Sequence, residues 1–261
     1  MANSEVVLEL DELQQQQLAL KEFGFKASAP LFRAMGEDAD HLATGTFFEK
    51  CGKLILLTAR HVVDEAKLEN IAIAESPSGS GIFTLGTIVV HMPKDIEDAE
   101  IDIIGIEILD QSVIEKIRTG WKVLDISVGA PQSSETQKTL VGYPSERMVK
   151  DGFVLRGKPV AFHCAPLGSI PGNARQPVNP DLDLFLEYPE KALELGDKTV
   201  SLGLIKGMSG CAIWEAHSLP GSEVWSPEKA LRLVGIQSSA AKGSFVRGKK
   251  WEYIKEVIKA V

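Results

Sequence analysis

Between residues 31 and 109 the apolar positions fall in short runs parted by turn residues, which predicts strands rather than helices. Thr44-Gly45-Thr46-Phe47-Phe48 and Lys53-Leu54-Ile55-Leu56-Leu57 flank the polar stretch Glu49-Lys50-Cys51-Gly52 and read as a β-hairpin. Further strands are expected over Glu69–Ala74, Phe83–His91 and Asp102–Leu109. A stretch rich in Gly, Pro, Ser and Gln around Gly129–Ser134 interrupts the pattern, which restarts at Thr139-Leu140-Val141-Gly142-Tyr143-Pro144. Strands are then predicted over Phe153–Val160, Leu182–Glu187, Ala212–Trp214 and Leu231–Ser238. The period changes at both ends of the chain. Behind Ser4 as a cap, Leu10, Leu13 and Leu20 recur at helical spacing, predicting a helix over residues 4–23 that docks on the β-structure. Trp251, Ile254, Val257, Ile258 and Val261 share one face of a C-terminal helix.

A chain of 261 residues can bury one large core or two small ones. The interruption places the boundary between two β-domains within residues 111–134. The expected division is 1–29 as a helical extension, 30–125 as a first β-domain, and 126–261 as a second ending in the helix. The net charge of −8 argues against a nucleic-acid footprint. No apolar run is long enough to span a bilayer, and Met1–Glu5 lacks the basic start of a secretory signal, so no membrane partner is expected. Cys51, Cys164 and Cys211 are odd in number, widely spaced and without a CxxC pair, which fits a reducing, cytoplasmic setting. The histidines and cysteines lack metal-ligand spacing and no glycine-rich phosphate loop occurs, so no metal or cofactor is expected.

Three short words carry chemistry. Leu57-Thr58-Ala59-Arg60-His61-Val62 follows an apolar strand and turns toward a short helix, which puts His61 at a sheet edge as a candidate general base. Glu100-Ile101-Asp102-Ile103-Ile104 places Asp102 where a polar stretch becomes a buried strand, so its carboxylate can be largely desolvated yet orient an imidazole. Asp95 and Asp98, in the charged stretch before it, stay open as alternatives. Gly207-Met208-Ser209-Gly210 permits a tight turn in which the amides of Gly207 and Ser209 converge as an oxyanion hole and Gly207 leaves substrate approach unblocked. A serine hydroxyl is too weak an acid to ionise near neutral pH. It needs an imidazole that is itself positioned by a carboxylate. His41, His91, His163 and His217 have no comparable setting and read as ordinary structural histidines.

The order His, Asp, Ser separates this arrangement from subtilisins and from α/β-hydrolases. On these words, from about residue 30 to 261, the chain resembles trypsin-like (chymotrypsin-fold) serine peptidases of the compact, disulfide-free bacterial type. That resemblance implies an all-β fold of two antiparallel six-stranded β-barrels, here with an N-terminal and a C-terminal helix. It also implies a catalytic set of His61, Asp102 and Ser209 acting on a protein or peptide substrate through an acyl-enzyme. In relatives the base of the substrate side-chain pocket lies six residues before the nucleophile, which maps to Gly203, and the far wall maps to Gln237, Ser238, Ser239 and Ala240. With no acid at Gly203, the expected preference is for an uncharged, small to medium side chain. Val62 and Val63 stand where secreted relatives carry a cystine beside the histidine. Met208 replaces the Asp that pairs with a newly cut N-terminus, so no such cleavage is expected to build the oxyanion hole. Cys211 occupies a position where relatives carry a small residue and reads as buried filler. The alternative function is a catalytically quiet peptidase-fold module that binds peptides or a partner. A regulatory partner protein, or the N-terminal helix over the cleft, is a further expectation for restraining an active enzyme.

Overall fold

The computed structural model describes residues 18–36, 38–79, 81–92, 102–130, 132–133, 136–151, 154–194, 198–217, 225–259 and 261. The first sheet is built from β1 (Ala29–Met35), β2 (Asp38–Lys50), β3 (Lys53–Thr58), β4 (Ile71–Ala74), β5 (Ile82–Thr84), β6 (Ile88–His91) and β7 (Ile104–Ile108). Their order is β5-β4-β1-β2-β3-β7-β6, all antiparallel, and a short β8 (Leu124–Asp125) adds parallel to β2. The predicted hairpin is its centre. Cys51 and Gly52 turn it with φ of 51° and 80°, the left-handed pair that a two-residue hairpin turn requires.

Leu54, Ile55, Leu56 and Leu57 are all fully buried, so β3 reads as an unbroken apolar run rather than an alternation. Leu54 and Leu56 face the interior of the first sheet with Leu31, Phe47 and Ile106. Ile55 and Leu57 face the other way, into a cluster with Trp214, Leu233 and Ile236 of the second sheet. The run expected over Phe83–His91 is two strands. It breaks at Leu85-Gly86-Thr87, where Gly86 has φ 67°, and the halves join opposite ends of the sheet, β5 on β4 and β6 on β7.

The second half contains β9 (Lys138–Gly142), β10 (Met148–Asp151), β11 (Val154–Gly157), β12 (Val160–Cys164), β13 (Asp183–Glu187), β14 (Lys191–Glu194), β15 (Thr199–Ser201), β16 (Ala212–Ala216), β17 (Leu231–Ala241) and β18 (Phe245–Lys250). A second sheet runs β13-β18-β17-β16-β9-β12-β14-β15, while β10 and β11 form a separate hairpin. Each large sheet counts eight strands among the described residues rather than six, because short strands such as β5 and β15 extend the edges and β8 adds to β2.

Five helices lie on these sheets among the described residues. In α1 (residues 18–27) Phe23 meets Trp214 edge-on at 5.7 Å and Phe25 packs with Val141 and Ala161, so the helix docks on the second sheet. Residues 4–17 of the helix expected over 4–23 lie outside the described residues. α2 (His61–Glu65) is the short helix expected after β3. α3 (Gln111–Gly120) falls in the stretch read from sequence as the domain junction. The Asp110 carboxylate caps it by accepting from the Ser112 and Val113 amides, and Val113, Ile114 and Ile117 enter the first core. α4 (Pro227–Ala230) is a single turn before β17. α5 (Trp251–Lys259) seals the seam. Its Trp251, Ile254, Val257 and Ile258 pack in one cluster with Phe48 and Ile103 of the first half and Trp214 and Leu233 of the second.

Because Ile254 is fully buried in that shared cluster, truncating it leaves a cavity at the seam. Ile254→Ala is expected to cost about 2–5 kcal/mol in urea unfolding. A loss below about 1 kcal/mol would show that α5 contributes little to joining the halves.

Candidate active site

β3 ends at Thr58, and Ala59-Arg60 carries the chain into α2, whose first residue is His61. Thr58 pairs with Ile104, so Asp102, two residues ahead of Ile104, comes alongside this exit. The Arg60 amide donates to the Asp102 carbonyl at 3.2 Å, and His61 Nδ1 stands 3.4 Å from Asp102 Oδ1. Pairing with Asp102 raises the His61 pKa above its ordinary value, against the opposing pull of partial burial. The Asp102 side chain is 39% exposed, wetter than the desolvated carboxylate expected at a strand start. Asp95 and Asp98, the open alternatives, lie outside the described residues.

The turn 207–210 belongs to the second half of the chain but is fixed to the first. Thr44, fully buried in β2, donates its amide to the Ser209 carbonyl at 2.9 Å and its hydroxyl to the Gly207 carbonyl at 2.9 Å. The same hydroxyl oxygen accepts from the Tyr143 amide at 3.1 Å, and the Thr44 carbonyl accepts from the Thr58 hydroxyl at 2.8 Å. Within the turn, the amides of Met208, Gly210 and Cys211 donate to the carbonyls of Ile205, Gln237 and Met208. Those of Gly207 and Ser209 donate to no described residue, and they are the two the sequence named for an oxyanion hole. The Ser209 hydroxyl and the His61 ring make no hydrogen bond to each other among the described residues. Such contacts commonly tighten only when substrate binds.

Both flanking glycines have packing reasons. Gly210, at φ 92°, lies against the Thr44 carbonyl, and a Cβ there would stand 2.6 Å from the Thr58 hydroxyl. Gly207, at φ 90°, presses on the Ser145 hydroxyl, and a Cβ would stand 2.5 Å from His41 Cε1. A side chain at Gly207 would therefore strike His41 and Ser145, a constraint beyond the open substrate approach that sequence suggested.

His41 is the residue that sequence reasoning passed over. Its Nδ1 is 2.9 Å from the Ser145 hydroxyl, its ring tilts against Phe32 with centroids 5.6 Å apart, and its Nε2 is buried without a hydrogen-bond partner. Burial pushes its pKa down to about 4, with the Ala43 backbone opposing. The usable signal was the pair of threonines, Thr44 and Thr46, shortly after His41 and within the Leu42–Phe48 stretch of β2 that carries no charge. The remaining histidines have structural partners: His91 with Glu107 at 2.9 Å, His163 with Thr139 at 2.8 Å and His217 near Glu215 at 3.7 Å. Met208 and Cys211 are fully buried, and burial drives the Cys211 thiol far above the range in which a thiolate forms.

A cleft of about 800 Å³ opens beside His61 and Asp102. One wall carries Arg60, His61, Asp64 and Asp102; the other is Asn173 and Arg175–Pro177 with Ser238–Ala241, Phe245, Arg247 and Lys249. Ser238, Ser239 and Ala240 thus line the cleft. β16 pairs with β17 only as far as Ala212 opposite Ile236, so beyond that point β17 keeps β18 on one side and has no described strand on the other. Gln237 is buried beneath, its carbonyl taken by the Gly210 amide at 2.7 Å. Gly203 lies outside this lining; its carbonyl accepts from the Tyr188 hydroxyl, and the Glu146 carboxylate fills the space a side chain would need.

No family model matches the sequence, and no curated protein matches it. Among solved structures the chain is similar to the scabies mite inactivated protease paralogue S-I1, with a TM-score of 0.54, 16% identity, and coverage of 93% of this chain and 97% of that one. It is similar also to HBP, with a TM-score of 0.51, 11% identity and coverage of 92% of each chain. A thermostable serine protease, AL20, from an extremophilic microorganism gives 0.49, 10%, and coverage of 89% and 94%. At these identities the likeness is one of fold: the two sheets form the chymotrypsin-like double β-barrel with a helix at each end.

A histidine held neutral in the fold and ordinary in the unfolded chain contributes stability above pH 6.5 that is lost as pH falls toward 4. The expected size at His41 is about 3 kcal/mol. Urea unfolding between pH 7 and 4.5 should therefore show a shallower pH dependence for His41→Gln than for the wild type. Parallel curves would show that His41 is not held neutral by its packing.

Proposed function

We propose that the protein is a serine endopeptidase. The observation that carries this reading is the pattern of the 207–210 turn: the amides of Met208, Gly210 and Cys211 are engaged, while those of Gly207 and Ser209 donate to no described residue and stay open near a His–Asp pair. In the proposed cycle the Ser209 hydroxyl attacks the scissile carbonyl while His61 Nε2 takes its proton. The Gly207 and Ser209 amides receive the oxyanion, and Asp102 on Nδ1 stabilises the imidazolium. His61 then protonates the leaving amine. Water, deprotonated by His61, hydrolyses the acyl-enzyme and restores Ser209. A substrate chain adds along the open edge of Ser238–Ala241 as an antiparallel strand. Three free cysteines support work in a reducing compartment. Met208, packed in the second core, supports a turn that forms without a charged N-terminus to hold it.

A second reading keeps the cleft and drops the chemistry. It is favoured by the missing Ser209–His61 hydrogen bond and by likeness to a protein described as an inactivated protease paralogue. A fluorophosphonate probe separates the two. The enzyme reading predicts covalent labelling that vanishes in Ser209→Ala; absence of labelling on folded protein supports a binding module.

The base must be neutral to act, and Asp102 raises the His61 pKa, so kcat/KM is expected to rise with pH through an inflection above 6.5. Asp102→Asn should move that inflection to lower pH and reduce kcat roughly 10⁴-fold, the effect of the same change in other triads of this kind. An unchanged inflection would remove Asp102 from the relay.

A further inference from the structure

The two walls of the cleft differ in charge. The His61 wall carries the carboxylates of Asp64 and Asp102, with Arg60 3.8 Å from Asp64. The facing wall presents Arg175, Arg247 and Lys249 and, among the described residues, no carboxylate. Behind it Asp183 stays out of the cleft lining, its side chain fully buried. Asp183 Oδ1 accepts from Lys249 Nζ at 2.6 Å, and Oδ2 accepts from an Arg247 Nη at 2.5 Å and from the Asn179 amide at 2.8 Å. The Asp183 carboxylate therefore anchors Arg247 and Lys249 behind this wall, where their side chains are 10% and 3% exposed, and leaves the exposed Arg175 as the cation most open to the cleft.

Arg247 also shapes the rim. Its guanidinium donates to the carbonyls of Arg175 at 2.9 Å and Pro177 at 2.6 Å and lies over the Phe185 ring at 5.6 Å. These bonds fix the backbone of the 175–177 segment and set the exposed Arg175 at the cleft mouth. A chain with a net charge of −8 has gathered cations on this surface, beside the open edge of Ser238–Ala241 where a peptide would pair. Ser239 adds an exposed serine to the same lining, while the buried Ser238 hydroxyl donates to the Arg247 carbonyl at 3.3 Å.

We propose that this wall selects peptides with an Asp or Glu side chain on the segment that pairs along Ser238–Ala241. This deepens the endopeptidase reading and rests on it for the position of the cut. It replaces the neutral pocket that sequence suggested at Gly203, a residue outside the cleft lining. The acidic side chain would meet Arg175 at the rim and the Arg247 guanidinium beneath, in a cleft partly shielded from water where a charge pair is less screened than on an open surface.

The test uses pairs of peptides identical but for Glu against Gln, or Asp against Asn, at each position before the cut, with products identified by mass spectrometry. The acidic member should be cut with about tenfold higher kcat/KM, the scale of one partly desolvated charge pair. The advantage should shrink as salt is raised. Arg175→Glu, at an exposed position that leaves the Arg247 and Asp183 contacts intact, should abolish or reverse the ratio. Equal cleavage of both members, or preference for a basic residue, by enzyme that labels at Ser209 overturns the proposal and leaves the endopeptidase reading standing. Should no peptide be cut, fluorescence polarisation of the labelled Glu and Gln peptides decides separately. Tighter binding of the Glu peptide that is lost in Arg175→Glu supports an acid-selective cleft, and equal binding refutes it.

Discussion

The site depends on one buried threonine. Thr44 sits in a strand of the first barrel, and its amide, hydroxyl and carbonyl are all committed to holding pieces that come from elsewhere in the chain. Through the Gly207 and Ser209 carbonyls it fixes two peptide units of the nucleophile turn. The amides of those units, on Met208 and Gly210, point the other way to Ile205 and Gln237, while those of Gly207 and Ser209 donate to no described residue. Through Tyr143 it ties the end of β9, and through Thr58 it reaches the strand exit that delivers His61. A hydroxyl in an interior this dry is costly unless bonded, and here the same bonds that satisfy it also join the two barrels.

The shape of the cleft follows from how the apolar residues divide. β3 buries both faces, one into the first barrel and one into a seam shared with the second barrel and α5. The seam brings the barrels together on one side and leaves a cleft of about 800 Å³ beside His61. Polar chemistry is confined to its edges: a His–Asp pair on one wall, and on the other an arginine and a lysine held from behind by a buried aspartate. Asp183 satisfies both cations without facing the cavity, so a charged surface is kept rigid where a flexible surface lysine would wander.

Much of this was legible in the chain. Strand runs and the C-terminal amphipathic face located the sheets and α5, because hydrophobic period reports burial directly. The words around His61, Asp102 and Gly207–Gly210 picked residues that the fold sets near one cleft or its adjoining turn, because each sits at a strand exit or tight turn with a local signature. What escaped was non-local. Nothing in the neighbourhood of Thr44 or His41 announces a partner at Gly207, more than 150 residues away, and the Asp183–Arg247–Lys249 cluster joins two strands far apart in sequence. α3 was passed over because only its cap, Asp110, and three apolar positions mark it within a polar stretch. Gly203 was mapped by counting back from the nucleophile. In the structure Gly203 lies outside the cleft lining, with the Glu146 carboxylate packed against it.

The most direct test of the central claim is a crystal structure of the protein after reaction with a fluorophosphonate. If the Thr44-bound turn is a preformed oxyanion site, phosphorus will be bonded to Ser209 Oγ, with the phosphonyl oxygen within hydrogen-bond distance of both the Gly207 and Ser209 amides and the His61 ring turned toward the adduct. An adduct oxygen pointing into solvent, with either of those amides engaged elsewhere, would contradict it.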